Sequence, residues 1–225
     1  KLIFYTHMGV YMAPFFLFIN MAFPTTNAVT ELPAVNQILA SCGQAPATTL
    51  DQTNPDVAIA YDTLLEVSRE IQSEGWSFNK EYHYGFTPDD NNEILIPNNI
   101  LQIDLTENLA NATTDVIRRS GKLYDKQNHT YKFTADTVDC DVTWFFDWVD
   151  LPQPIKDYIT ARAAAITSTR IIGDSTQYQM LQQKESYMRA MAMEYECNQG
   201  DYTFFGTTTN NRKYSSYKPY IALIR

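Results

Sequence analysis

Residues 34–79 read AVNQILASCGQAPATTLDQTNPDVAIAYDTLLEVSREIQSEGWSFN, two helical runs set apart by a turn-rich link. In the first, Leu32, Val35, Ile38 and Leu39 recur at the three-and-four spacing that puts apolar side chains on one helix face. The predicted helix runs from about Glu31 to Ser41, with Thr30 as its cap, Pro33 in the first turn and Gly43 as its stop. The second run opens on Asn54-Pro55-Asp56. Asn54 suits the N-cap, Pro55 needs no amide partner at the first helical position, and Asp56 meets the positive end of the helix. Val57, Ala60, Tyr61, Leu64, Leu65, Val67 and Ile71 continue this helix until Gly75. Two amphipathic helices joined by a short link pack antiparallel.

The pattern changes between Trp76 and Asp150. Short β-forming runs are predicted at 93–97, 100–104, 115–119, 122–125, 130–134 and 141–146, with hairpin turns at Ser120-Gly121 and at 125–129. Helical spacing returns near Pro152 or Pro154 through Ile155, Tyr158, Ile159, Ala163, Ile166 and Ile171 to Gly173, and the small run Ala163 to Ala165 permits close helix approach. A fourth helix is predicted from about Ser175 to Gln199, with Gly200 as its stop. The fold class expected is α+β, mainly α: an antiparallel four-helix bundle with a β-rich insertion between helix pairs and extended terminal arms. The divisions are an N-terminal arm 1–28, helices 1 and 2 at 29–75, the insertion 76–150, helices 3 and 4 at 151–200 and a basic arm 201–225.

Composition narrows the function. The chain has 225 residues and a net charge of −9. DNA affinity comes chiefly from Lys and Arg displacing counterions from phosphates, so a sequence-wide nucleic-acid grip is excluded. The charge is uneven: residues 201–225 carry one acid against Arg212, Lys213, Lys218 and Arg225, a basic arm on an acidic body. Aromatic residues reach 13%, with 15 Tyr and 12 Phe, and suit interfaces as much as cores. Cys42, Cys140 and Cys197 are far apart and odd in number, which fits reduced thiols rather than a disulfide framework. Neither they nor His7, His83 and His129 show zinc spacing. The apolar stretch at 12–23 is broken by Pro14 and Asn20, its uninterrupted part being far short of the roughly 20 residues that a membrane span needs. It is expected to lie on a partner.

Few residues suggest chemistry. Residues 136–150, DTVDCDVTWFFDWVD, gather aspartates around aromatics. A glycan hydrolase needs two carboxylates across an aromatic cleft, and Asp139, Asp141, Asp147 and Asp150 are the candidates for that alternative. Asp139 and Asp141, however, alternate on one face of a strand and suit a solvated surface better. Asp89 to Glu93 lacks the glycine and distal glutamate of a calcium loop and reads as a polar turn. His83 has no nucleophile motif beside it and reads as a strand histidine. Met180, Met188, Met191 and Met193 make a Met-rich face that fits a helix core or subunit contact. No catalytic, cofactor-binding or metal residue is assigned, and no cofactor is expected.

Residues 34–79 resemble the opening of the tail tubular protein A family of short-tailed bacteriophages. The features that carry the likeness are AVN from Ala34, the turn ILAS-x-G, the helix start DVA from Asp56 and EVSREIQSEGWSFN at 66–79. A second match, MEYECNQGDYTFF at 193–205, falls where the family places it, after the last long helix. Cys42, the turn Gln44-Ala45-Pro46 and the first 23 residues depart from the family pattern. The resemblance implies a non-enzymatic virion protein, assembled in the host cytoplasm as a homo-oligomeric ring of twelve copies. The ring would sit as an adaptor or head-tail connector between the portal protein and the nozzle, tail tubular protein B. Tail-fibre N-terminal regions would attach at its outer junction. Genomic DNA would pass through during ejection without specific binding, because an acidic lumen repels phosphate. The arm carrying Arg212, Lys213, Tyr214, Tyr217, Lys218, Tyr220 and Arg225 is expected to dock on the portal or a neighbouring subunit, charge aiding encounter and tyrosines anchoring the contact.

Overall fold

A computed structural model describes residues 30–51, 53–106 and 114–200, with the backbone of two short paired strands at 202–203 and 206–207. The described chain is α+β, with four helices and five strands in two small antiparallel sheets, followed by that terminal strand pair.

Helix α1 spans Leu32–Ser41 and α2 spans Pro55–Gln72. Asn54 caps α2 as its sequence position predicts, its Oδ1 accepting from the Asp56 amide at 3.1 Å. The cap of α1 differs from the expectation. Glu31, not Thr30, is its N-cap residue and makes no side-chain cap bond; its carboxylate accepts from the Tyr61 hydroxyl at 2.9 Å instead, tying α1 to α2. Helix α3 spans Gln153–Ile171 and α4 spans Ser175–Gly200, with Gly173 at φ +73° turning the chain between them. Glycine is the residue that takes this left-handed backbone without strain.

Helices α1, α2 and α3 share one core: Val35, Ile38, Leu39, Leu64, Ile71, Ile155, Tyr158 and Ile159 are all at most 1% exposed. α3 packs against all three other helices, and residues on every side of it are buried, among them Ala161 and Ala163 to Ala165. These alanines have little bulk, so neighbouring helices approach from several directions. A four-helix bundle is not what these contacts show. Of the 26 residues of α4 only Ala192 and Glu196 are buried, and the helix packs chiefly on α3. Its inward stripe is short: Leu181, Glu185, Met188, Ala192 and Tyr195 are buried or half-buried, while the rest of the surface is mostly exposed.

Between α2 and α3 lies a β-rich lobe with its own core of Phe86, Ile94, Ile96, Ile100, Val116, Leu123, Phe133, Val138, Cys140 and Val142. Strands β1 (Lys80–Phe86), β2 (Ile100–Leu105) and β5 (Val138–Trp144) form one sheet in the order β1-β5-β2. Strands β3 (Val116–Arg119) and β4 (Lys122–Asp125) form a hairpin. Its turn is Ser120-Gly121, both at positive φ, the geometry whose twist matches two antiparallel strands. The turn after Asp125 also forms, closed by a bridge from Asp125 to Thr130.

Three predicted runs are corrected, and one strand is added. The runs at 93–97 and 130–134 make only isolated bridges, because Ile94, Ile96 and Phe133 serve the lobe core without an extended ladder. β5 begins at Val138, not Asp141. β1 has no counterpart among the predicted strand runs, although His83 is read on a strand: Tyr82, Tyr84 and Phe86 alternate with Glu81, His83 and Gly85, but five of its seven residues are exposed.

Buried amides join lobe to helices. Asn79, 0% exposed, accepts from the Trp76 amide at 2.8 Å and donates to the carbonyls of Gln72 at 2.8 Å and Trp144 at 2.9 Å. Gln72 accepts from the Phe146 amide at 2.8 Å and donates to the Phe146 carbonyl at 3.1 Å. The end of α2 is thereby stitched to the end of β5. Buried polar backbone left without such partners would cost about 1 to 3 kcal/mol per group.

Candidate interaction surface

The four aspartates of the hydrolase alternative lie on two elements, strand β5 and the turn before α3. Asp139 and Asp141 alternate along β5, away from the buried Val138, Cys140 and Val142, and Asp104 of β2 stands opposite Asp141. Asp141 serves the fold instead, its Oδ1 accepting from the His83 amide at 3.1 Å and from the Thr106 hydroxyl at 2.7 Å. These bonds hold the irregularity in β1, where His83 takes φ +58° and the register with β5 shifts. His83 is thus a bulge residue rather than an ordinary strand histidine. Asp147 and Asp150 lie on the single turn that leads from β5 to α3, with the Asp150 amide donating to the Asp147 carbonyl. Two open depressions beside α1 include none of the four. Asp89 shapes a tight turn, its Oδ1 accepting from the amides of Asn91 and Glu93. Among the described residues no group of three His, Cys, Asp or Glu is placed to hold a metal ion. No described helix is long and apolar enough to cross a membrane.

The cysteines differ in exposure. Cys42 and Cys140 are buried and Cys197 is exposed. Burial, with Asp141, Asp139 and Asp104 adding their negative charge, pushes the Cys140 thiol up to about 12. Burial also raises Cys42. Since the thiolate is the reactive form, only Cys197 is expected to be alkylated quickly in the folded protein at about pH 8. Mass spectrometry should show one adduct on the native chain and three in denaturant; three rapid native adducts would contradict the burial of Cys42 and Cys140.

What the described surface offers is contact area. α4 presents Tyr178, Met180, Tyr187, Met191 and Met193 to solvent, while Met188 turns inward against the helical core. The Met-rich face predicted from sequence is therefore divided between core and surface. α2 exposes Ile59 and Leu65, and the β lobe exposes Tyr82, Tyr84, Leu95 and Ile117. Sequence reasoning missed these lobe residues: the signal for Leu95 is alternation with the buried Ile94 and Ile96, and for Tyr82 and Tyr84 it is their own period-two spacing. Outward charges knit the helices: Arg162 of α3 meets Glu70 of α2 at 2.6 Å and Glu185 of α4 at 3.6 Å, and Arg170 meets Glu66 at 2.9 Å. The predicted docking residues Arg212, Lys213, Tyr214, Tyr217, Lys218, Tyr220 and Arg225 lie outside the described residues, as does the N-terminal arm 1–28.

A family model described as Tail tubular protein matches residues 32–202, from the first residue of α1 through the last residue of α4 to the terminal strand pair. No curated protein matches the chain.

Proposed function

The chain belongs to the tail tubular protein family and is a structural component of a phage tail, and on that premise we propose that it is the A-type, adaptor member. In this reading copies form a ring, twelve by the family resemblance, with the portal protein above, the nozzle below and tail-fibre N-terminal regions anchored at the outer junction. Subunits are made in the host cytoplasm and end in the virion. The family match supports the tail role, because it spans the helical core, the β lobe and α4 together, and the motifs within 34–79 and 193–205 support the A type. A part that joins two other rings works by shape, and a rigid three-helix core supplies it. The family's structural character fits a protein that alters no bond. The acidic balance suits a channel wall past which DNA slides.

The basic, tyrosine-bearing arm is the proposed portal or neighbour contact, by its opposite charge and its aromatic anchors. Electron microscopy of the chain mixed with a portal ring is expected to show a closed ring of copies seated on it. A chain truncated after Phe205 should fold yet lose that seating. Unchanged seating would remove the role of the arm, and failure of the full chain to form a circular oligomer in the virion would remove the adaptor reading.

A further inference from the structure

Along α4, Met180, Lys184, Tyr187, Met191, Glu194 and Asn198 follow one another at alternating steps of four and three residues, and all are exposed. Met180 is 68% exposed, Tyr187 62% and Met191 43%. This is the spacing of a two-helix seam. It is not the stripe that α4 turns to α3, which carries Leu181, Glu185, Met188 and Ala192. Among the described residues the helix thus has two seams, one filled within the subunit and one open. Neither Lys184 nor Glu194 takes part in an ion pair among the described residues.

We propose that the outer seam of α4 pairs antiparallel with the same seam of a second copy of this chain. The order of residues favours this pairing. About a centre at Arg189, Lys184 falls opposite Glu194 of the second copy, Tyr187 opposite its Met191, and Met180 opposite its Asn198. Each contact occurs twice by the two-fold symmetry. Lys184 and Glu194 then meet opposite charge, and the Met191 sulfur lies against a tyrosine ring, a favourable contact. A parallel pairing would set Lys184 against Lys184 and Glu194 against Glu194. Other occupants fit less well. Residues 2–29 are apolar but carry no acid for Lys184 and no Lys or Arg for Glu194, and the basic segment 206–225 has no acid at all.

Such a two-fold contact is self-complementary and closes after two copies, so it cannot propagate around a ring. It is a contact of the free subunit, independent of the adaptor reading, and it covers the exposed Met180, Tyr187 and Met191 before assembly. The short seam implies a weak association, on the order of micromolar.

Sedimentation of the purified full chain from about 1 to 100 µM should show monomers converting to pairs. Lys184→Glu and Glu194→Lys each turn two attractive contacts into repulsive ones and are expected to raise the dissociation constant about tenfold. The double variant Lys184→Glu/Glu194→Lys restores both contacts and should return to within about threefold of the parent. Both positions are exposed, so thermal unfolding of the monomer should not move. A chain that stays monomeric, a larger oligomer indifferent to the reversals, or a double variant no tighter than the singles overturns the proposal.

Discussion

Asn79→Ala is expected to lower the stability of the folded chain by about 3 to 5 kcal/mol, the sum of several buried groups losing partners at once. Asn79 is fully buried and answers three backbone groups: the Trp76 amide and the carbonyls of Gln72 and Trp144. Its own backbone carbonyl also accepts from the Trp144 amide at 2.8 Å, so the residue sits where the end of α2 meets the end of β5. Alanine leaves the amide and the carbonyls facing protein without the side chain that served them. Asp at this position keeps an acceptor for the Trp76 amide but turns an ionised oxygen toward two carbonyls, and is expected not to rescue. Urea unfolding followed by tryptophan fluorescence measures both variants. A loss under about 1 kcal/mol for Asn79→Ala would mean that water or a backbone shift replaces the amide, and that the joint between lobe and helices is not built as described.

Tyr158→Ala should cost a similar amount, about 4 kcal/mol, for a different reason: it removes a large ring from a packed core and leaves a cavity. Tyr158 is at 0% exposure in α3 and stands edge-on to Trp76, with ring centroids 6.5 Å apart. Its hydroxyl meets the Arg162 guanidinium at a long 3.4 Å, and Arg162 also pairs with Glu70 and Glu185. Tyr158→Phe is therefore expected to cost less than about 1 kcal/mol. The contrast between the two variants separates ring volume from the hydroxyl, and equal losses would contradict the packing account. Trp76 links both predictions, because its amide meets Asn79 and its ring meets Tyr158. The double variant Asn79→Ala/Tyr158→Ala should lose less than the two single losses added together.

Legibility in the sequence follows how local each signal is. The start of α2 is readable because Asn54, Pro55 and Asp56 act within one turn. The Ser120-Gly121 turn is readable for the same reason. The α1 cap escapes such rules because Glu31 is engaged by Tyr61, thirty residues away, and no local pattern reveals that partner. β1 leaves only a faint trace, His83 between Tyr82 and Tyr84 with Phe86 in step, because its pairing with β5 crosses more than fifty residues and its own side chains are mostly solvated. For the candidate site, the alternation of Asp139 and Asp141 correctly places both on one strand face. That Asp141 holds the His83 bulge depends on β1 lying beside β5, which the sequence does not announce.

The sequence by itself determined the helices, the β-rich segment between the second and third, the acidic body with its basic end, and membership in a family of tail components. These rest on spacing, turn chemistry and shared motifs, all carried by residues near one another in the chain. Tertiary structure alone decided which helix is central. α3 and α4 both carry apolar residues around much of their circumference, and periodicity cannot rank them. α3 is buried on many sides because its alanines admit neighbours closely, whereas α4 touches chiefly α3 and keeps Met180, Tyr187 and Met191 outside. The physical reason is that burial depends on what packs against a face, and that partner is chosen by the whole fold rather than by the helix that presents it.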